Sequence, residues 1–195
     1  MKTGTDPRCR LCKTEAETIH HIVSACAILA KKEYIERHDA FGSHLHWNIC
    51  KHCNLAVTDK WYEHKPEPVT DSEAVTIIWN TQVQTDRSIP HNKPDLIIKD
   101  KKEKTCLIID VAIPSDYNLI QKEAEKRTRY KDLAIETQRM WNLKTRVIPV
   151  VIGATGVISK NLVSLIAEIP GKHNVVALQK TAILKTAHIV RKVID

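Results

Sequence analysis

The chain has few of the features that mark disordered, membrane-spanning or secreted proteins. Only five Gly and one Phe occur among its 195 residues, and no low-complexity tract is present. No stretch approaches the roughly 18 consecutive apolar residues of a transmembrane helix, and residues 1–4 lack the apolar core of a secretory signal. We therefore expect an intracellular protein without a membrane association, folded as one domain with a short appendage.

Positive charge is in excess. Thirty Lys and Arg stand against 23 Asp and Glu, which leaves a formal net charge of +7. A basic surface attracts phosphates and releases their counterions, so this balance favours a polyanionic partner such as nucleic acid. The alternative is a basic protein without such a partner.

Composition divides the chain near residue 65. Residues 1–65 hold five of the six cysteines and most of the histidines, and a stiff Pro-containing linker follows at 65–68. We expect a zinc knuckle with a connecting helical segment over 1–65, and a second unit over 66–195.

Four residues near the N-terminus have the spacing of a metal site. Cys9-x2-Cys12-x8-His21-x4-Cys26 offers three thiolates and an imidazole, which favour tetrahedral Zn²⁺. His20 competes with His21, and we favour His21 because four residues then separate it from Cys26. So short a knuckle cannot bury a core, and a structural zinc ion would supply most of its folding free energy. The alternative is a set of buried cysteines without metal.

A second pair of cysteines, Cys50-x2-Cys53, raises the question of a second zinc ion. The histidines nearby are His44, His46 and His52. Apolar residues alternate with them, namely Leu45, Trp47 and Ile49. We interpret this segment as an amphipathic stretch that packs its apolar residues, and we do not expect a second zinc site there.

The rest of the sequence predicts a mixed α/β sandwich. Apolar, β-branched runs predict strands over 75–79, 83–89, 95–98, 106–111 and 146–152. Helical spacing predicts helices over 115–141, 159–168 and 174–193. In the last of these, one apolar stripe is expected from Val176, Ile183, Ala187, Val190 and Ile194.

Two acids stand at the ends of the predicted central hairpin. Fourteen residues separate Asp95 from Asp110, and a charged tip over 99–104 lies between them. Pairing of the two strands would place the acids nearly opposite each other, about 5 Å apart in the ladder. Two carboxylates so close are tolerable when they share a divalent cation, and oxygen ligands suit Mg²⁺ or Mn²⁺. Such an ion generates hydroxide and stabilises charge on a phosphate.

The strings that surround these acids resemble a known family. They are Trp79, Thr85-Asp86-Arg87, Asn92-Lys93-Pro94-Asp95 and Ile109-Asp110-Val111-Ala112-Ile113-Pro114. The chain resembles the PD-(D/E)xK nucleases, and more closely the restriction-like endonuclease at the C-terminus of site-specific non-LTR retrotransposon proteins. The resemblance covers most of the chain, including the knuckle, and implies a restriction-endonuclease-like core.

The resemblance also assigns the catalytic lysine. The common nuclease pattern has Lys two residues after the second acid, where this chain has Ala112. In the retrotransposon branch the lysine comes from the following helix, and the family's basic pair followed by Tyr matches positions 126–130 with one additional residue. We expect Lys126 to orient the water and offset charge, with Tyr130 positioning the lysine or the phosphate.

The resemblance implies an endonuclease that nicks double-stranded target DNA, so that a 3′ end primes reverse transcription. It further implies a nuclear protein, a reverse transcriptase region in a larger polyprotein, and RNA as a second candidate partner. The expected phosphate contacts are Arg87, Lys93, Lys122 and Arg129.

Three alternatives stay open. The acids could simply end strands beside a solvated charged helix, which leaves a catalytically inactive nucleic-acid-binding module on a nuclease-like scaffold. The chain could be a remnant whose activity has decayed. It could also be a Holliday-junction or repair nuclease of the same superfamily. The sequence predicts neither the target sequence nor the oligomeric state.

Overall fold

Five strands form one mixed sheet in the computed structural model of the chain, which describes residues 6–194. The strands are β1 (Val69–Asp71), β2 (Val75–Trp79), β3 (Leu96–Asp100), β4 (Thr105–Ala112) and β5 (Lys144–Val151), and they lie side by side in this order. Neighbours from β1 to β4 are antiparallel, whereas β5 runs parallel to β4. The parallel pair is possible because two helices connect these strands.

Six helices surround this sheet in the described part of the chain. They are α1 (Ala27–Ala30), α2 (Glu33–His52), α3 (Leu119–Arg129), α4 (Lys131–Trp141), α5 (Leu162–Ala167) and α6 (Val175–Ile194). A π-helical turn (His21–Ala25) and two 3₁₀ turns (Trp61–Glu63 and Asp116–Asn118) complete the elements. None of the helices within residues 6–194 has the length and apolar composition needed to cross a membrane.

The central strands are buried on both faces. Leu96 and Ile98 of β3 lie in the larger core, which α2, α5 and α6 cover. Ile97 of β3 and Ile108 of β4 lie in a second core, on the face covered by α3 and α4. Successive side chains of a strand point to opposite faces, so a strand covered on both sides must be apolar at every position. This explains the unbroken apolar runs of the sequence.

The predicted helix over 115–141 is interrupted. A 3₁₀ turn precedes α3, and the helix breaks at Tyr130 before α4 begins. Tyr130 leaves the helical conformation with its ring buried in the second core, and its hydroxyl donates to the Lys93 carbonyl at 3.1 Å. Burial of this one ring between sheet and helices fixes the position of the break, which helical periodicity alone does not reveal.

The strand predicted over 83–89 is wrong, because residues 80–95 form an irregular connection between β2 and β3. Val83 nevertheless packs into the second core, so its apolar character serves tertiary packing rather than a strand. The sequence prediction also missed β1, which pairs with β2 along one edge. The other predicted elements are present with their ends shifted by at most three residues.

Helix α6 buries a different stripe from the predicted one. Val176, Ile183 and Ile194 are exposed. The buried residues are Leu178, Thr181, Ala182, Thr186, Ile189 and Val193. The helix has apolar residues on two sides, and its packing against α2 and the knuckle selects which side is buried.

Helix α2 belongs to the same core as the sheet. Phe41, Leu45 and Ile49 are fully buried in the larger core, as expected for Leu45 and Ile49. Trp47 is only half-buried and donates its indole N–H to the Thr58 carbonyl at 2.8 Å. The larger core therefore contains residues from both sides of the division expected near residue 65.

We expect Leu133→Ala to lower the free energy of unfolding by about 2–5 kcal/mol, because Leu133 is fully buried and its removal leaves a cavity between α4 and the sheet. Urea denaturation measures this change. Ile135→Ala in the same helix is the matched control, since Ile135 is 59% exposed, and it should cost less than about 1 kcal/mol. Equal losses in the two variants would contradict the packing described for α4.

Candidate active site and metal centre

The register of β3 and β4 brings the two predicted acids together. Leu96 pairs with Ile109, so the next pair outward is Asp95 opposite Asp110, on the face covered by α3 and α4. Asp110 is only 2% exposed, and the Asp95 side chain is 17% exposed. The N–H of Val111 donates to Asp95 Oδ2 at 2.7 Å, which ties the first carboxylate to the strand that bears the second.

Lys126 of α3 reaches the same place. Its ammonium forms an ion pair with Asp110 Oδ2, and the Lys126 side chain is only 14% exposed. This buried oxygen has no hydrogen bond of normal geometry within residues 6–194, and the ion pair with Lys126 compensates its charge. Tyr130, one turn further along, lies beside Asp110, and burial together with that carboxylate raises the pKa of Tyr130. The structure thus groups Asp95, Asp110, Lys126 and Tyr130.

The two acids have different protonation equilibria. Burial, reinforced by the negative charge of Asp95, raises the pKa of Asp110 above its ordinary value despite the opposing effect of Lys126. Burial would also raise the pKa of Asp95, but the hydrogen bond and positive charge of His38 outweigh it and lower that pKa. Asp95 is therefore the carboxylate held ionised, and Asp110 the one that binds a proton more readily.

His38 is a member of this site that the sequence prediction missed. It lies in α2, with Nε2 3.1 Å from Asp95 Oδ2 and Nδ1 3.0 Å from Asp39 Oδ1. Burial would lower its pKa, but the hydrogen bonds and charges of Asp95 and Asp39 outweigh burial and raise the pKa of His38 to about 9. His38 is thus an imidazolium at neutral pH and competes with any metal ion for Asp95.

A cleft of about 300 Å³ opens beside the acids, and most of its charged groups are cationic. Its charged lining residues are Arg37, His38, Lys122, Glu125, Lys126 and Arg129. Lys122 and Arg129 both form ion pairs with Glu125, at 2.6 and 2.8 Å, which hold their cationic groups near the opening. Such a surface is suited to a phosphate backbone.

Two of the four residues that were expected to contact phosphate lie outside the lining of this cleft. Lys122 and Arg129 line the cleft, but Arg87 and Lys93 do not belong to its lining. Both are exposed on the irregular connection between β2 and β3. The carbonyl of Lys93 accepts the hydrogen bond from Tyr130.

The four predicted N-terminal metal ligands lie close together. Ligand atoms of Cys9, Cys12, His21 and Cys26 all lie within 4.8 Å of one another, and Cys12 Sγ is 3.3 Å from His21 Nε2. His20 is exposed and outside this group, as expected. The four residues could therefore bind a metal ion such as zinc.

The surroundings of the N-terminal group favour the thiolate form at Cys12, whereas burial raises the pKa of Cys26. A hydrogen bond from the Thr14 hydroxyl, followed by backbone N–H donors of Glu15 and Thr14, lowers the pKa of Cys12 to about 5. The thiolate is the form that binds a metal. The group also packs on the end of α6, where Ile189 and Val193 belong to the same apolar cluster. The knuckle is thus fastened to the body of the protein.

Cys50 and Cys53 do not share a metal-ligand group in the described part of the chain. Cys50 lies instead beside His46 and His64, and the ligand atoms of these three are all within 4.8 Å of one another. His64 comes from the segment that follows α2, and no spacing motif connects it to the other two. Two members of this group, His46 and Cys50, lie in the segment where no second zinc site was expected from the sequence.

No protein-family model and no curated protein matches this chain. The fold is a mixed α/β sheet with helices on both faces, and the site consists of two carboxylates, a lysine and a basic cleft. The function must therefore be inferred from these residues.

Replacing Cys12 by Ser should remove about one equivalent of bound zinc per chain, because one thiolate of the four ligands is lost. Metal analysis of purified protein measures this, and limited proteolysis should show faster cleavage near the knuckle. Cys53→Ser is the matched control, since Cys53 belongs to neither ligand group, and its zinc content should equal that of the unmodified chain. Unchanged zinc in Cys12→Ser would contradict the assignment.

His38 should make stability depend on pH. Its pKa rises from 6.5 to about 9 on folding, so its contribution is fully present below pH 6.5 and is lost as the pH rises through 9. Without added divalent cations, we expect the Tm advantage of the unmodified chain over His38→Gln to shrink by at least about 2 °C between pH 6.5 and 9.5. His188→Gln, at an exposed histidine, should show no such trend. A constant difference for His38→Gln would refute the ion pair with Asp95.

Proposed function

We propose that the protein is a metal-dependent endonuclease that nicks double-stranded DNA. The observation that carries this proposal is the convergence of Asp95, Asp110 and Lys126 at one end of the β3–β4 hairpin, beside a cationic cleft. These groups come from two strands and a helix, and a purely structural ion pair would not need the second carboxylate.

The acids fit a hard divalent cation. Asp110 Oδ2 is a buried carboxylate oxygen without a normal hydrogen bond, and Asp95 lies opposite it across the ladder. Within residues 6–194, no third carboxylate or imidazole completes a compact ligand group with them. In phosphate chemistry, Mg²⁺ or Mn²⁺ is commonly bound by two protein carboxylates, and its other coordination positions are filled by water and phosphate oxygen. When bound, the ion supplies an activated water and neutralises charge on the phosphate.

The ion pair of Lys126 with Asp110 suggests how its ammonium would act in catalysis. In the structure its ammonium compensates Asp110. If the carboxylates held a cation, the Lys126 ammonium would be available to a phosphate oxygen on which negative charge develops. Tyr130 supports this geometry, because its hydroxyl is fixed by the Lys93 carbonyl while its ring is buried against the sheet.

The basic lining of the cleft supports the proposed substrate class. Lys122 and Arg129 stand at its opening, on the same helix as Lys126, and this is where phosphates that flank the scissile one would lie. Double-stranded DNA is the proposed substrate, with RNA as a second partner. The restriction-endonuclease-like core, the origin in a retrotransposon polyprotein with a reverse transcriptase region, and the nuclear location belong to the same proposal, and the sequence resemblance supports them.

A second candidate is a nucleic-acid-binding module without catalysis. The observation in its favour is that Asp95 is paired with His38 and Asp110 with Lys126, so the acids are compensated without a cation. On this alternative the knuckle and the basic cleft bind nucleic acid, and the acids only hold α2 and α3 to the sheet. Cleavage separates the two candidates, because a module that only binds DNA would shift it without cutting it.

Asp95→Asn and Asp110→Asn should each reduce Mg²⁺-dependent nicking of supercoiled plasmid at least about 100-fold, since each removes a charged ligand oxygen. DNA affinity measured by gel shift should change less than about threefold, because neither acid is expected to contact phosphate directly. Asp100→Asn is the matched control at the opposite end of β3, where the side chain accepts N–H bonds from the turn, and it should cut normally.

Lys126→Met should slow nicking by a comparable factor, while Lys131→Met, at an exposed position in the neighbouring helix, should not. Undiminished cutting by either aspartate variant would refute the nuclease assignment. A chain that binds DNA tightly, yet never cuts it with Mg²⁺ or Mn²⁺, would establish the binding module instead.

A further inference from the structure

Three metal-ligating side chains meet outside the candidate active site and the knuckle. His46 Nδ1 lies 2.8 Å from His64 Nε2 and 3.4 Å from Cys50 Sγ. His46 and Cys50 are one turn apart in α2 and both are buried, while His64 reaches them from the segment that follows the helix. One nitrogen therefore faces two other ligand atoms at once.

Hydrogen bonds alone satisfy this arrangement poorly. A ring nitrogen of a neutral imidazole carries either one proton or one lone pair, so His46 Nδ1 makes one good hydrogen bond rather than two. A cation at the centre of the triangle would use a lone pair from each of the three atoms. Soft sulfur with two imidazoles is a donor set that selects zinc and related transition metals over Mg²⁺ or Ca²⁺.

The spacing of the three atoms is close to that of a tetrahedral site. With metal–ligand bonds of about 2.0–2.3 Å, neighbouring ligand atoms stand roughly 3.3–3.6 Å apart. The 3.4 Å separation of Cys50 Sγ and His46 Nδ1 already has this value, and Cys12 and His21 of the knuckle are separated by a similar 3.3 Å. The His46–His64 separation must widen by about half an ångström, and His64 lies outside regular helix or strand.

Neighbouring rings hold the ligands in place. The His46 ring is stacked with that of His64, with centroids 5.0 Å apart, and meets the edge of Trp79 at 5.7 Å. The carbonyl of His64 accepts a hydrogen bond from Ser43 of α2 at 3.0 Å, which anchors the following segment beside the helix. The ligands are thus oriented by contacts that do not involve the ion, as in preorganised metal sites.

We propose that His46, Cys50 and His64 form a second zinc-binding site, whose fourth position opens into an adjoining cavity. That cavity has a volume of about 460 Å³ and is lined by all three residues together with Glu63 and Glu67. A water molecule or one of these carboxylates is then the fourth ligand. The ion fastens the segment over 53–68, which has only one short 3₁₀ turn, to helix α2.

The test is the zinc content of the full chain and of three single variants, after removal of loosely bound metal. We expect two equivalents in the unmodified chain, one in His64→Gln, and one in Cys50→Ser. His52→Gln is the matched control, because His52 is an exposed histidine at the end of the same helix, and it should retain two. Far-UV circular dichroism checks that each variant is folded. His64→Gln is the decisive variant, since its side chain is only half-buried and outside the core.

Cobalt identifies the ligands independently. In the Cys12→Ser variant, the remaining Co²⁺ should show tetrahedral absorption with charge transfer from a single thiolate, and His64→Gln should abolish it in that background. Equal zinc content in the unmodified chain and a folded His64→Gln variant would overturn the proposal, whether that content is one or two. A single equivalent that His64→Gln removes would support this site and count against the knuckle. None of these outcomes depends on DNA cleavage.

Discussion

The antiparallel register of β3 and β4 is the constraint on which the candidate active site depends. Because Leu96 pairs with Ile109, Asp95 and Asp110 must face the same helices. A slip of one residue would turn one carboxylate to the opposite face. Such a slip would also move apolar side chains out of both cores, since these strands are buried on both sides. The hydrophobic cores therefore fix the geometry of the two polar residues at their edge.

Two buried carboxylates at adjacent positions are an electrostatic cost, and the protein compensates them unequally. His38 and the Val111 N–H lower the pKa of Asp95 despite its burial, whereas burial and the charge of Asp95 raise the pKa of Asp110 even though Lys126 is paired with it. Environments that shift two carboxylates in opposite directions are typical of catalytic pairs. A metal ion bound by these carboxylates would have to displace His38 from Asp95 and Lys126 from Asp110.

The parts of the site that follow from local sequence were predictable, and the parts that follow from tertiary packing were not. Spacing alone indicated the knuckle ligands, and the hairpin with its charged tip indicated the pairing of Asp95 with Asp110. Lys126 followed from the resemblance and from its distance to Asp110 along the chain. His38 and His64 had no such signal, because their partners lie on other elements that only packing brings close. The buried stripe of α6 was likewise decided by α2, since the helix has apolar residues on two sides.

Helix α2 contributes contacts to the N-terminal ligand group, to the two acids and to the cluster of His46, Cys50 and His64. Near its start, Tyr34 donates to the Ile22 carbonyl at 2.7 Å and Arg37 to the Val23 carbonyl at 2.8 Å, so the knuckle backbone is bound to the helix. One residue further, His38 holds Asp95, and His46 lies about two turns beyond. A metal ion bound by the N-terminal cysteines and His21 would therefore stabilise the segment that is hydrogen-bonded to the start of α2, the helix that also carries His38.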